Sequence, residues 1–123
     1  MTRVPLISIV DDDDSLRSSL GNLLRSVGFP VQEFASAHAF LSWPDLRETA
    51  CLILDVRMPG MNGLELQRHI VTANWRLPIV FITSHADDEA RSGAIAAGAV
   101  AFLYKPFHEQ AILDAIDAAL RME

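Results

Sequence analysis

The stretch CLILDVRMPGMNG, residues 51–63, decides the fold. Its first four residues are apolar without polar alternation, which is typical of a strand covered on both faces in a parallel sheet. Asp55 ends this strand, and the Pro- and Gly-rich segment after it predicts a turn. Open α/β sheets keep their ligand sites at the carboxyl ends of strands, so Asp55 is a candidate site residue. An aspartate that only begins a turn gives the same local pattern.

The composition limits the classes of protein that this chain can represent. A length of 123 residues suits one domain with a genuine core. The net charge of −6 and the lack of a basic cluster argue against direct nucleic-acid binding. The N-terminus lacks the apolar core of a signal peptide and no apolar run is long enough to span a bilayer, so we expect a cytoplasmic protein without membrane contact. One cysteine, Cys51, allows no disulfide within the chain.

Strand-like and helix-like segments alternate five times along the chain. Strands are predicted at residues 6–10, 30–34, 51–55, 78–83 and 100–104. Helices are predicted around residues 16–27, 37–41, 66–73, 87–97 and 112–120, and residues 42–50 are predicted to form a loop. Gly93 should make the helix at 87–97 the least stable. The alternation predicts a single (βα)5 doubly wound parallel sheet, and the half-polar second strand favours the flavodoxin-like order 2-1-3-4-5.

In such a sheet the carboxyl ends of four strands bring polar side chains to one edge. These are Asp11, Asp12, Asp55, Thr83 and Lys105. Neighbouring carboxylates repel each other, by about 1 kcal/mol per pair in water and several times more at a protein surface, so a cation is expected among them. Oxygen ligands with room for water and phosphate suit Mg²⁺. A hydroxyl and a lysine aimed at the same point suit phosphoryl transfer to a carboxylate.

The sequence resembles the receiver domain of bacterial two-component response regulators over residues 7–120. The motifs that carry the resemblance are Val10-Asp11-Asp12, Asp55 with Met58-Pro59 and Gly63, Thr83, Gly98-Ala99 and Lys105-Pro106-Phe107. His85 and the Lys105-Pro106-Phe107 motif make it more similar to regulators of the nitrogen-fixation and nodulation type. Such receivers precede a helix-turn-helix output domain. The resemblance therefore implies that residues 1–123 form one receiver domain and that any output domain lies outside this chain.

The resemblance also implies a role for each site residue. Asp55 would accept the phosphoryl group from a sensor histidine kinase or from small phosphodonors, and the acyl phosphate would hydrolyse in the same site, so the domain is not expected to be a conventional enzyme. Asp12, Asp55 and the backbone carbonyl of Arg57 would bind Mg²⁺, or Mn²⁺ in its place, with Asp11 acting through water. A cis peptide bond between Lys105 and Pro106 would aim the lysine side chain into the site. Lys105 would pair first with Asp55 and then with the phosphoryl group.

Thr83 and Phe102 match the switch residues of receivers. In that family the threonine closes onto the phosphoryl group and the aromatic residue turns inward, although plain core packing explains Phe102 equally well from composition. Phosphorylated receivers can dimerise through the fourth helix, fifth strand and fifth helix. This chain has Ala101 where many relatives have an acidic residue, so we expect any such homodimer to rely on apolar contacts.

Two other functions fit parts of the sequence. A constitutive interaction module with the same fold would not respond to phosphate, and the intact acidic set argues against it. A phosphatase of the aspartate-nucleophile type would use Asp11 as the nucleophile, with Asp13 nearby. That class usually needs a longer chain or a cap domain.

Overall fold

Five strands alternate with five helices in the computed structural model, which describes residues 4–85 and 87–121. The strands are β1 (Leu6–Val10), β2 (Val31–Phe34), β3 (Thr49–Asp55), β4 (Ile79–Thr83) and β5 (Ala101–Tyr104). The helices are α1 (Asp14–Ser26), α2 (Ala37–Leu41), α3 (Gly63–Thr72), α4 (Asp88–Ala96) and α5 (Glu109–Arg121), with a 3₁₀ turn at Leu46–Glu48. The strands form one parallel sheet in the order β2-β1-β3-β4-β5, so the predicted flavodoxin-like order is confirmed.

The sheet is covered on both faces, as the unbroken apolar run of β3 predicts. Leu52 and Leu54 point towards α2, α3 and α4, whereas Cys51 and Ile53 point towards α1 and α5. All four side chains are fully buried. Since successive side chains of a strand leave on opposite faces, one apolar strand supplies the centre of two cores. Within the described part of the chain, no helix is long and apolar enough to cross a membrane.

The strand register places the candidate residues at one edge of the sheet. Val10 pairs with Leu54, so the residue after β1 lies beside Asp55. Asp55 pairs with Ile82, which puts Thr83 one step beyond it on the neighbouring strand. Thr83 in turn pairs with Tyr104, the residue before Lys105. The parallel pairing therefore gathers the ends of β1, β3, β4 and β5 at the carboxyl edge.

The strand starts differ from the predicted limits for reasons of hydrogen bonding. β3 begins at Thr49, inside the predicted loop, because the buried Thr49 hydroxyl lies 2.7 Å from the hydroxyl of Ser8 on β1. β2 and β4 begin one residue after Pro30 and Pro78. A proline has no N–H for the sheet, although both carbonyls still accept a hydrogen bond from the neighbouring strand.

Asp87 caps α4 as predicted, since its side chain accepts a hydrogen bond from the N–H of Ala90. Gly98, two residues after the end of α4, has a positive φ of +106° and turns the chain away from the helix. The low stability expected for α4 stays a prediction.

Gly63 lets the start of α3 pack directly against the end of β3. A Cβ at this position would clash with the backbone carbonyl oxygen of Asp55 and would lie 3.0 Å from the Cα of Val56. Backbone atoms cannot move aside as a flexible side chain can, so we expect Gly63→Ala to lower the free energy of unfolding by about 2 to 3 kcal/mol. Urea denaturation measures this loss.

Gly93 provides the matched control for that substitution. It lies in α4, and apart from its chain neighbours and the backbone of its own helix, no described atom is within 4 Å of the position that its Cβ would take. Gly93→Ala should therefore raise the free energy of unfolding by about 0.5 to 1 kcal/mol, because alanine favours the helix. Equal effects of the two alanine substitutions would contradict the packing described for Gly63.

Candidate functional site

Three carboxylates converge at the carboxyl edge of the sheet. Asp11, Asp12 and Asp55 each offer an oxygen atom, and these atoms lie within 4.8 Å of one another. Asp11, directly after β1, is fully buried, Asp55 is 5% exposed, and Asp12 faces solvent. One Asp11 oxygen, Oδ1, accepts a hydrogen bond of 2.9 Å from the N–H of Asp13, which fixes the loop before α1.

The Lys105 side chain lies between two of these carboxylates. Its Nζ is 2.9 Å from Oδ2 of Asp11 and 3.7 Å from Oδ2 of Asp55, and the side chain is 15% exposed. The expected contact with Asp55 is therefore present, but the shorter contact is with Asp11, the more deeply buried carboxylate. The peptide bond between Lys105 and Pro106 is cis, as the resemblance implies.

The Asp55 carboxyl holds its proton more tightly than an ordinary aspartate. Burial is the largest cause, and the negative charge of Asp11 adds to it, so that the pKa rises from 3.8 to about 7. Lys105 and the backbone N–H of Arg57 act in the opposite direction, because both favour the ionised form. The positive charge of Lys105 alone is therefore too small to offset the effects of burial and of Asp11 on Asp55.

This donor set fits a hard divalent cation. The available ligands are carboxylate oxygens, and when all three carboxylates are ionised, the one ammonium group leaves two formal negative charges at the edge of the sheet. Asp11, Asp12 and Asp55 could hold such an ion. The predicted contribution of the Arg57 carbonyl stays a prediction.

Thr83 and Phe102 occupy different layers of the same region. Thr83 ends β4 and is 1% exposed, and its Oγ1 accepts a hydrogen bond of 3.2 Å from the N–H of His85. The Phe102 ring is buried between two other rings, those of Phe81 and Tyr104, at centroid distances of 5.8 and 5.6 Å. Phe102 thus packs in the core in this structure, and its switching role stays a prediction.

Sequence reasoning placed Arg57 at the site but missed the contact of its side chain, and it missed Arg17 altogether. Arg57 extends its exposed side chain towards Asp87, with a distance of 3.7 Å between Nη2 and Oδ2. Arg17 donates a hydrogen bond of 2.6 Å from Nη1 to the backbone carbonyl of Asp11. A lone arginine on a helix usually faces solvent. The only sequence signal for Arg17 was its position three residues after Asp14, a spacing at which helical side chains can pair.

The raised pKa of Asp55 predicts a pH dependence of stability in the metal-free protein. Because the folded state binds this proton more tightly than the unfolded state does, the free energy of unfolding should fall as the pH rises. We compare the free energy of unfolding of Asp55→Asn with that of the wild type. We expect the difference, in favour of Asp55→Asn, to increase by about 2 kcal/mol as the pH rises from about 5 to about 8.

Urea denaturation of both proteins in EDTA at the two pH values measures this change. The difference between the two proteins isolates the contribution of Asp55, because every other side chain is the same in both. A constant difference across this pH range would contradict the raised pKa.

The described residues form a parallel α/β domain whose acidic carboxyl edge also carries a lysine and a threonine. The family model of the response regulator receiver domain matches residues 7–117, and the chain belongs to that family. It is therefore a receiver domain of two-component systems, as the sequence motifs predicted.

Curated relatives place the chain within this family. It is 45% identical over 120 residues to the response regulator protein TodT of Pseudomonas putida, covering 98% of this chain and 53% of TodT. It is 47% identical over 116 residues to nodulation protein W of Bradyrhizobium diazoefficiens, covering 93% of this chain and 50% of that protein. The chain thus spans about half the length of these relatives. The predicted similarity to nodulation and nitrogen-fixation regulators is confirmed.

A solved structure shows the same fold. The crystal structure of FixJ-N superposes with a TM-score of 0.89 at 38% identity, covering 99% of this chain and 98% of that one. The transcriptional regulatory protein FixJ of Rhizobium meliloti is 41% identical over 114 residues, which are 92% of this chain and 55% of FixJ. Several homologues are thus transcriptional regulators.

Proposed function

We propose that this domain accepts a phosphoryl group on Asp55 from the phosphohistidine of a sensor kinase, in a reaction that needs Mg²⁺. The observation that carries the proposal is the convergence of Asp11, Asp12 and Lys105 on Asp55 at the end of the central strand. An oxygen of the Asp55 carboxylate attacks phosphorus, the phosphorus–nitrogen bond breaks, and the imidazole leaves. With small phosphodonors such as acetyl phosphate, the same oxygen attacks phosphorus, the phosphorus–oxygen bond of the donor breaks, and acetate leaves.

The acidic residues serve the phosphoryl group by holding the cation. Mg²⁺, or Mn²⁺ in its place, would be held by Asp12, Asp55 and the Arg57 carbonyl, with Asp11 acting through water. Bound there, the ion offsets the negative charge of the phosphoryl oxygens. With the cation bound, the Asp55 carboxyl would ionise more readily, against the raised pKa that burial and Asp11 produce.

Lys105 and Thr83 are placed to contact the phosphoryl group once it is attached. Lys105 lies between the carboxylates of Asp11 and Asp55, so only a short movement takes its ammonium group to a phosphoryl oxygen. The Thr83 hydroxyl is 3.5 Å from the carbonyl oxygen of His85, at the limit of a hydrogen bond. Its proton is thus available to a stronger acceptor, and a phosphoryl oxygen is one.

The regulatory step is a shift between two conformations of the domain. The acyl phosphate carries up to about two negative charges where the Asp55 carboxylate carried one, and so favours the conformation in which Thr83 moves inward. Phe102, whose ring lies next to the half-exposed Tyr104, would then rotate into the vacated space. The changed surface of α4, β5 and α5 would permit a homodimer and control an output domain of the helix-turn-helix type. We place this signalling step in the cytoplasm, with residues 1–123 acting as the receiver domain.

Intact-mass measurement after incubation with acetyl phosphate tests this function. With Mg²⁺ the protein should gain the mass of one phosphoryl group, and with EDTA it should gain none. Protein that stays unmodified under both conditions would contradict the proposal and favour a phosphate-independent interaction module. A gain that is the same in EDTA would contradict the metal requirement.

A further inference from the structure

We propose that Arg17 is a positioning residue that holds the loop carrying Asp11 and Asp12 in the geometry that binds the divalent cation. The inference rests on the proposed function and extends it to a residue outside the acidic cluster. Arg17 lies in the first turn of α1, and its side chain is only 15% exposed. Its guanidinium group contacts three different segments of the described chain.

The strongest of these contacts fixes a peptide group. Nη1 of Arg17 donates a hydrogen bond of 2.6 Å to the carbonyl oxygen of Asp11. This carbonyl belongs to the peptide group that joins Asp11 to Asp12, so its orientation sets the directions in which both side chains leave the backbone. Arg17 therefore acts on two of the three carboxylates without contacting either carboxylate itself.

A second contact ties the same guanidinium group to the start of α1. Nη2 of Arg17 lies 2.6 Å from Oδ1 of Asp14, the first residue of the helix. The planar fork of an arginine thus bridges both ends of the loop at residues 11–14. Since the carboxylates in this loop repel each other, a loop held only by its backbone would tend to spread them apart. The arginine fixes the loop before the cation binds.

A third contact places Arg17 itself. Glu33 on β2 has Oε1 at 3.8 Å from Nε of Arg17 and Oε2 at 2.9 Å from Nη2 of Arg25. The carboxylate has room there because residue 21 in α1 is a glycine. A Cβ on Gly21 would lie 2.5 Å from Oε2 of Glu33. The Glu33 carboxylate of the edge strand β2 thus packs against α1 at Gly21 and helps to hold the Arg17 side chain in place.

A positioning role and a purely electrostatic role predict opposite signs. If Arg17 acted only through its positive charge, removing that charge would strengthen cation binding, because the arginine repels the cation. If Arg17 positions the loop, its removal should weaken cation binding. Arg17→Lys separates the two cases, since lysine keeps the charge but lacks the planar fork.

The test is calorimetric titration of Mg²⁺ into the wild type, Arg17→Lys and Arg17→Ala. We expect both substitutions to weaken Mg²⁺ binding about tenfold, as is typical for residues that orient metal ligands. Arg121→Lys is the matched control. Arg121 is exposed on α5 and pairs with Asp117, one helical turn before it, and both are far in sequence from the loop at residues 11–14. This control variant should bind Mg²⁺ as the wild type does.

Gly21→Ala provides a second variant that changes no charge. The new methyl group displaces the Glu33 carboxylate, whereas alanine itself favours the helix. We expect Mg²⁺ binding to weaken about threefold while the thermal unfolding midpoint in EDTA stays at or above that of the wild type. This variant also carries the test if Arg17→Lys fails to fold.

Unchanged Mg²⁺ affinity in Arg17→Lys and in Gly21→Ala, or tighter binding by Arg17→Ala, would overturn the positioning role and leave the proposed function intact. Wild-type protein that binds no Mg²⁺ would overturn the proposed function and this inference with it.

Discussion

Asp55→Asn protein is expected to gain no phosphoryl group when it is incubated with Mg²⁺ and acetyl phosphate. Asparagine keeps the size of the side chain and can still accept the hydrogen bond from the N–H of Arg57, but its neutral amide lacks the nucleophilic oxygen. Loss of a covalent nucleophile lowers reaction rates by more than about 10⁴-fold, which places any residual reaction below detection. Intact-mass measurement over time follows the reaction.

Asp45→Asn is the control for the loss of one aspartate. Asp45 is exposed before the 3₁₀ turn and makes no capping hydrogen bond with its side chain. This variant should be phosphorylated at the wild-type rate. A full adduct on Asp55→Asn would show that another residue is the acceptor.

Lys105→Met should slow phosphorylation by about 10²- to 10³-fold, the usual effect of removing one group that stabilises charge in a transition state. Methionine preserves the length of the side chain but removes the ammonium group that lies 2.9 Å from Asp11 and 3.7 Å from Asp55. The loss also raises the pKa of Asp55 further, since Lys105 lowers it in the wild type. Fewer molecules then carry an ionised nucleophile.

The initial rate with acetyl phosphate at saturating Mg²⁺ measures the effect of this substitution. Lys105→Arg keeps the charge and should fall between the wild type and Lys105→Met, and Arg121→Met controls for the loss of a surface charge. Lys105 is the only lysine in the sequence, so lysine labelled with ¹⁵N gives one Nζ signal that should shift on phosphorylation. A near-wild-type rate for Lys105→Met would contradict its role.

The fold could be predicted from the sequence because its strands carry strong and different patterns. The unbroken apolar run of β3 identified a central strand, and Gln32 and Glu33 identified β2 as an edge strand. The spacing of apolar residues marked α1 and α5, whose buried leucines and isoleucines face the same core. These signals are local, and the rule for parallel connections supplied the rest of the topology.

The details of the site depend on contacts between distant residues, which local patterns do not contain. The place of Lys105 between Asp11 and Asp55 follows from the register of four strands. The early start of β3 depends on a hydroxyl pair, Ser8 and Thr49, which are 41 positions apart. The contacts of Arg17 depend on the carboxylate of Glu33 and on the missing side chain of Gly21.

Locating the phosphoryl group is the most direct test of the account. The protein is phosphorylated with acetyl phosphate and Mg²⁺ and then reduced with borohydride, which converts an aspartyl phosphate to homoserine, and peptide mass spectrometry identifies the altered residue. We predict homoserine at position 55 alone. Homoserine at position 11 would contradict the account, because it would assign the chemistry to the end of the first strand, as in phosphatases of the aspartate-nucleophile type.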